Sequence, residues 1–225
     1  DSSPMYGSSE QVVGELLAAR PAGPRAWLAT KVWTTGERAG IDQMHTSLRR
    51  LGADPIDLMQ IHNLVDWRTH LRTLRAWKAE GRVRTIGLTH YQASAHDDLA
   101  QAIQSEAVDV VQVNLSLDEP EAASALLAAC ARRGVGVIVN RPFGGGASFA
   151  KIRTQPLPPW VAQLGVASWA QFMLTWILSF PEVTCVIPGT RRAAHVVDNL
   201  GAGRLAPLSG AVRDRMAAAW RRLAG

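Results

Sequence analysis

Cysteine is scarce in this chain. Its 225 residues include only two, Cys130 and Cys185, and each lies in an apolar stretch. Two widely separated cysteines exclude a disulfide-rich small domain and a cysteine-based zinc centre. We interpret both as reduced residues of the core, with a bridge between them as the lesser alternative, and we expect no metal site.

Long apolar runs are also missing. No stretch reaches the roughly 20 residues that a membrane-spanning helix needs. The polar start lacks the basic segment followed by an apolar one that marks a signal peptide. We therefore expect a cytoplasmic protein without a membrane partner. An N-terminal targeting segment stays open, because the chain opens on a polar turn with no strand before it and so looks incomplete at its start.

Negative charge is in deficit, because the formal net charge is +5 and the sequence pI is about 9.9. A basic balance suits nucleic acid, but the arginines occur as scattered pairs near predicted helix ends, where cations complement the helix dipole. Long basic runs, zinc-finger spacings and interleaved aromatic and basic residues are all missing. Nucleic acid is therefore not an expected partner.

What the chain does contain is an alternation of two patterns. Short, continuous apolar runs alternate with longer segments of helical spacing, as in an α/β protein whose parallel strands are buried on both faces. Gly52, Gly81 and Gly134 each follow a helical segment, where a C-terminal cap belongs. The six predicted strands lie in WLATKV, DLMQIH, RTIGLTH, DVVQVN, GVIVNRP and TCVIPG.

Polar residues at the strand ends favour a barrel over a doubly wound sheet. Groups able to bind or react follow nearly every strand, as on the catalytic face of a (β/α)8 barrel. No Gly-x-Gly-x-x-Gly follows any strand, which counts against a Rossmann domain. We predict one barrel domain over residues 1–225, with a C-terminal helix over 208–224. The strand-end residues are Lys31, His62, Thr89, His90, Gln112, Asn114, Asn140 and Arg141.

Four residues in the first third of the chain form one chemical group. Tyr is a poor acid at neutral pH, with a free pKa near ~10. An ammonium at Lys31, held by the carboxylate of Asp1, favours the phenolate of Tyr6 and so improves it as a proton donor. His62, at the end of the next strand, can orient a carbonyl oxygen. The group predicts protonation of a carbonyl while a hydride arrives.

These residues and the motifs around them resemble the aldo-keto reductase superfamily, which comprises NADPH-dependent carbonyl reductases on a (β/α)8 barrel. The likeness follows the order of the family over essentially the whole chain. It is carried by Asp1 with MYGSSEQVVGELL shortly after it, and by ATKVW, LMQIHN, GRVRTIGLTHY, VDVVQVN, GVGVIVNRPFGGG and VIPGTRRAAHVVDN. The resemblance implies Tyr6 as the general acid, Lys31 as the group that lowers its pKa, Asp1 as the holder of Lys31, and His62 as the orienting residue.

The resemblance also implies the cofactor site. The carboxamide of NADPH would meet Gln112, Thr89 and His90. The pyrophosphate would lie along the loop containing Asn140, Arg141, Pro142, Phe143, Gly144 and Gly146. The adenosine end would meet the segment from Gly189 to Asn199, with Gly189, Thr190, Arg191, His195 and Asn199 as contacts. NADPH is favoured over NADH by Arg191 and Arg192, which accompany backbone N–H groups at a helix start. Trp33 and Trp67 are expected to form aromatic walls for the substrate.

Three departures from the family pattern keep an alternative open. Thr89 and His90 replace the usual Ser and Asn. Asn140 replaces the usual aromatic residue and has no ring to stack on the nicotinamide. The first strand, first helix and most of the second strand of the family are absent, so we expect a fragment of a longer protein. The alternative is an NADPH-binding regulatory subunit with little turnover, similar to potassium-channel β-subunits.

Overall fold

The computed structural model describes residues 1–20 and 24–224. They form two compact units. The first unit consists of Asp1–His90 with Ser105–Val111, and the second consists of Tyr91–Gln104 with the chain from Gln112 onward. Whether these units make the single predicted domain stays a prediction.

The first unit is built from alternating helices and parallel strands. Strands β1, β2 and β3 lie side by side in chain order. In this register Lys31 lies beside Gln60, and His62 lies beside Thr89. The elements are α1 (Ser9–Ala18), β1 (Ala29–Val32), α2 (Glu37–Leu51), β2 (Ile56–His62), α3 (Trp67–Ala79) and β3 (Val83–Thr89).

Burial explains the continuous apolar runs of this unit. Every residue of β1 and β2 is buried, so the side chains on both faces of these strands are removed from water. The polar residues among them, such as Lys31, Gln60 and His62, are therefore buried as well and need partners inside the fold. Gly52 ends α2 in the left-handed conformation, with φ of 60°, as predicted for a cap.

Helices α1 and α2 approach each other closely at a glycine. A Cβ at Gly14 would collide with the carbonyl oxygen of Arg50, so only glycine allows this contact. The close approach holds the face of α1 that carries Glu10 near the end of α2.

The second unit continues the alternation. Strands β4, β5 and β6 are neighbours in that order, and β5 pairs with β6 in parallel. The elements are α4 (His96–Ser105), β4 (Val110–Asn114), α5 (Leu126–Arg133), β5 (Gly136–Asn140), α6 (Ala147–Lys151), α7 (Trp169–Leu178), β6 (Val183–Val186), α8 (Ala193–Ala202) and α9 (Gly210–Ala224). Strand β4 begins within the first unit, and short 3₁₀ turns cover Ala93–Ala95, Glu121–Ala123, Gly144–Gly146 and Pro159–Leu164.

Two expectations need correction in this unit. Cys130 is a buried free thiol, as expected, but Cys185 is exposed and therefore not a core residue. The reason is that β6 is the last strand of its sheet, and its central residues Thr184 and Cys185 are exposed. The C-terminal helix α9 begins at Gly210, two residues later than predicted, after the N–H of Val212 bonds to the hydroxyl of Ser209.

Among the described helices none combines the length and the apolar character that crossing a bilayer requires.

Candidate active site

The four residues predicted to act together lie together in the first unit. The Lys31 ammonium donates hydrogen bonds to Asp1 Oδ2 at 2.7 Å and to the carbonyl oxygen of Ser2 at 2.8 Å. The amide of Gln60 donates to the second oxygen of Asp1 at 3.1 Å. Asp1 therefore holds a lysine that is completely removed from water.

Tyr6 lies next to this ion pair and to the histidine. The Lys31 nitrogen is 4.9 Å from the centroid of the phenol ring, and the His62 and Tyr6 rings meet edge to face with centroids 5.8 Å apart. The Tyr6 side chain is 47% exposed, whereas Lys31 is 0% exposed. A small molecule from solvent can thus reach the phenol but not the ammonium beneath it.

Burial dominates the acid–base properties of the group. It lowers the pKa of Lys31 to about 7, and the negative charge of Glu10 opposes this shift. It also raises the pKa of the Tyr6 phenol above its usual value, which corrects the direction expected from the ammonium alone. Burial, then the positive charges of Lys31 and His90, lower the pKa of His62 to about 4. His62 is therefore neutral at neutral pH.

Two further residues of the site were missed by the sequence reasoning. Ser3 is fully buried, and its hydroxyl lies 3.1 Å from Nδ1 of His62. Glu10 is 1% exposed; it accepts a hydrogen bond of 2.6 Å from the Thr30 hydroxyl and lies 3.6 Å from Arg50. A charged residue on the inward face of α1 was a usable signal for Glu10, whereas nothing in the sequence singled out Ser3.

The loops after β1 and β2 are joined to each other. Asn63, Leu64 and Asp66 have φ of 52°, 57° and 45°, a left-handed conformation that is uncommon outside glycine. The Asp66 carboxylate accepts the Gly36 N–H at 2.7 Å, and this bond is the main cause of its lowered pKa. Strained backbone of this kind clusters at functional loops, and here it follows His62 directly.

The two tryptophans predicted to line a substrate pocket lie in this region. The ring of Trp33 is 42% exposed, and its backbone is fixed by the amide of Gln43, which accepts its N–H at 2.6 Å and donates to its carbonyl at 3.1 Å. Trp67 begins α3 and is covered by the Arg68 guanidinium, 4.3 Å from its ring centroid. Their contact with a substrate stays a prediction.

The residues predicted to meet the nicotinamide end are divided between the units. Thr89 is buried at the end of β3, and His90 follows it. Gln112, also buried, lies on β4, and Asn140 ends β5. Their joint role toward one carboxamide stays a prediction.

The glycine-rich loop predicted to carry the pyrophosphate is an internally bonded turn. Gly144, Gly145 and Gly146 all have positive φ, and so does Arg141 at 48°. The N–H groups of Gly144 and Gly146 bond to the carbonyls of Arg141 and Phe143 at 3.0 and 2.8 Å. The Arg141 guanidinium lies over this turn, so a Cβ at Gly145 would be 3.1 Å from it. The loop thus offers fewer backbone donors to a phosphate than its sequence suggests, together with one guanidinium.

A pocket of about 310 Å³ in the second unit contains most of the predicted adenosine contacts. Its lining residues are Phe143, Phe149, Ser168, Trp169, Ala170, Gly189, Thr190, His195, Asp198 and Asn199. Three aromatic rings and several polar groups in a pocket of this size suit a purine nucleoside. Arg191 was expected among the contacts, but it is exposed and is not among the described residues that line the pocket.

Comparison with known proteins agrees with this arrangement. A model of the aldo/keto reductase family matches residues 1–221. Aldo-keto reductase str7 of Strobilurus tenacellus is 29% identical over 245 residues, covering 91% of this chain and 72% of that protein. Pyridoxine 4-dehydrogenase of Escherichia coli is 26% identical over 230 residues, covering 91% of this chain and 76% of that protein.

A solved structure shows the same fold. The aldo/keto reductase from Klebsiella pneumoniae, crystallised in complex with NADP and acetate, matches with a TM-score of 0.81 at 24% identity, over 98% of this chain and 79% of that chain. This likeness confirms the predicted (β/α)8 barrel fold, of which the described residues contain six strands. With the family model covering nearly all its residues, the chain belongs to the aldo/keto reductase family of oxidoreductases.

Proposed function

We propose that this protein reduces an aldehyde or a ketone to an alcohol with NADPH as the hydride donor, and that Tyr6 is the proton donor. The observation that carries the proposal is the buried Lys31–Asp1 pair, 2.7 Å apart, with the ammonium over the face of the half-exposed Tyr6 ring. Family membership and oxidoreductase relatives support the reaction class.

The reaction needs a hydride at the carbonyl carbon and a proton at its oxygen. The nicotinamide, when bound, supplies the hydride. The Tyr6 hydroxyl gives its proton to the oxygen, and solvent restores that proton because Tyr6 is exposed. The Lys31 ammonium stabilises the phenolate that this leaves, and its attraction is strong because water is excluded around it. Neutral His62 donates one hydrogen bond to the oxygen and orients the carbonyl.

Residues of both units are assigned to the cofactor, each from its own surroundings. The pocket formed by Phe143, Phe149 and Trp169 would hold the adenine, and Arg141 would contact a phosphate. NADPH is proposed over NADH because Arg191 and Arg192 precede α8, where a cation near the pocket would attract a 2′-phosphate. The related Klebsiella enzyme, crystallised with NADP, supports this choice.

The proposal is tested by titrating the protein with NADPH and with NADH while following its tryptophan fluorescence, and by then measuring cofactor oxidation with a panel of aldehydes and ketones. We expect tighter binding of NADPH and turnover of at least one carbonyl. Tight NADPH binding without turnover on any of them would instead favour the regulatory alternative, for which Asn140 on β5 is the specific motive.

The Glu10 carboxylate leads to a prediction about pH. Reduction requires a charged Lys31, whose pKa is about 7, so we expect kcat/KM for the carbonyl to fall as pH rises through that value. Glu10→Gln removes the charge that opposes the lowered pKa but can still accept the Thr30 hydrogen bond. The pKa of Lys31 then falls further, and the descending limb of the pH profile moves to lower pH.

A matched control is available on the same helix. Glu15→Gln makes the same change of charge at an exposed position, where water screens it, and should leave the limb in place. If both variants keep the wild-type limb, Glu10 has no electrostatic effect on Lys31.

A further inference from the structure

We propose that Ser3 is a positioning residue that keeps the proton of neutral His62 on Nε2, so that this N–H is the donor offered to the substrate oxygen. The inference rests on the proposed carbonyl reduction, since it concerns the residue that orients the carbonyl. Its evidence is a single contact inside the fold, between the Ser3 hydroxyl and Nδ1 of His62 at 3.1 Å.

Both partners of this contact are shielded from water. Ser3 is 0% exposed and His62 is 6% exposed. Buried polar groups are almost always hydrogen-bonded, and at this depth water does not replace a missing partner. The direction of the Ser3–His62 bond is therefore decided by the groups within the fold.

The surroundings of Ser3 indicate that its hydroxyl is the donor. The oxygen of this hydroxyl already accepts the backbone N–H of Met5 at 3.4 Å. Among the contacts made by the described residues, Nδ1 of His62 is the acceptor available to the hydroxyl proton. Were Nδ1 protonated, two donors would point at one oxygen and the hydroxyl proton would be buried without an acceptor. The favoured arrangement has Ser3 donating to a bare Nδ1.

The position of this proton matters because the imidazole is neutral. Burial and the nearby charges of Lys31 and His90 lower the pKa of His62 to about 4, so at neutral pH the ring carries one N–H only. Nδ1 is engaged by Ser3, so a proton placed there is turned away from any substrate. The edge-to-face contact with Tyr6, at an interplanar angle of 89°, holds the plane of the ring next to the phenol.

The test reads the tautomer directly and the activity separately. Two-dimensional NMR of protein labelled with ¹⁵N in histidine distinguishes Nε2–H from Nδ1–H at His62. In the wild type we expect Nε2–H. In Ser3→Ala we expect a mixture of both tautomers and a loss of about tenfold in kcat, with a smaller change in KM, because a hydrogen bond of this kind shifts an equilibrium by about that factor.

Two variants complete the experiment. Ser3→Thr keeps the hydroxyl and should keep the Nε2–H tautomer and most of kcat. Ser47→Ala removes another fully buried serine hydroxyl, on α2, that has no hydrogen-bond partner among the described residues, and it should leave both measurements unchanged. The wild-type spectrum decides the inference even where Ser3→Ala does not fold, because an Nδ1–H signal at His62 overturns it.

The outcomes separate this inference from the proposed function. An Nε2–H signal that becomes mixed in Ser3→Ala, in a protein that reduces no carbonyl, supports the role of Ser3 and contradicts carbonyl reduction. Carbonyl turnover that is unaffected by Ser3→Ala, with an unchanged tautomer, overturns the role of Ser3 and leaves the proposed function intact.

Discussion

Tyr6→Phe is expected to lower kcat/KM for carbonyl reduction by about 10²–10⁴-fold, the usual contribution of a general acid. The substitution removes one oxygen from a ring that is half exposed, so packing around it changes little. The Lys31–Asp1 pair beneath the ring and the Ser3–His62 contact beside it remain in place. The loss should therefore fall on the proton-transfer step, and the rate of cofactor oxidation with a saturating carbonyl measures it.

The same variant supplies its own control. Fluorescence titration with NADPH should give the wild-type Kd, because the residues proposed to bind the adenosine end lie around Phe143, Trp169 and His195 in the second unit. Full carbonyl turnover in Tyr6→Phe would exclude Tyr6 as the acid. A matching loss of cofactor binding would instead assign Tyr6 a binding role.

Lys31→Met is expected to reduce kcat/KM by at least about 10²-fold, comparable with the loss of one preorganised charged donor in a catalytic site. Met has nearly the shape of Lys without its charge, so the space in β1 stays filled. The phenolate then has no cation near it, and the fall in activity as pH rises through about 7 should disappear from the residual activity. Steady-state rates across pH provide the measurement.

Stability has to be separated from chemistry in this variant. Removing the ammonium leaves the Asp1 carboxylate, whose side chain is 13% exposed, with the Gln60 amide but without its cation. Breaking one partner of a buried pair costs more than removing both. We therefore expect Asp1→Asn combined with Lys31→Met to melt at a higher temperature than Lys31→Met alone while remaining equally inactive. Recovery of activity together with stability would mean that the single variant had merely unfolded.

Much of the site was predictable because parallel strands put their carboxyl ends on one edge. Lys31 and His62 lie at the ends of successive strands of that kind, and this placement, together with the motifs of the chain, led to the reductase family and the barrel fold, both confirmed by the comparisons. Four of the five predicted adenosine contacts line one pocket for a similar reason, since they follow β6 and begin α8.

What the sequence did not predict depends on burial and on side-chain direction. The raised pKa of Tyr6 follows from partial burial, which no motif reports. Ser3 acts through a side chain of unremarkable type whose partner lies 59 residues away. Cys185 lies in an apolar run like those of the buried strands but is exposed, because β6 ends its sheet. Arg191 is exposed to solvent although it adjoins the pocket in sequence.

The central claim is that a charged Lys31, shielded from water, enables Tyr6 to protonate the carbonyl. The most direct test is the rate constant of hydride transfer in the wild-type protein, followed by stopped-flow oxidation of bound NADPH with a saturating carbonyl from about pH 5 to about pH 9. The account predicts a rate constant that falls as pH rises through about 7, where Lys31 loses its proton. A rate constant that stays level across this range would contradict it.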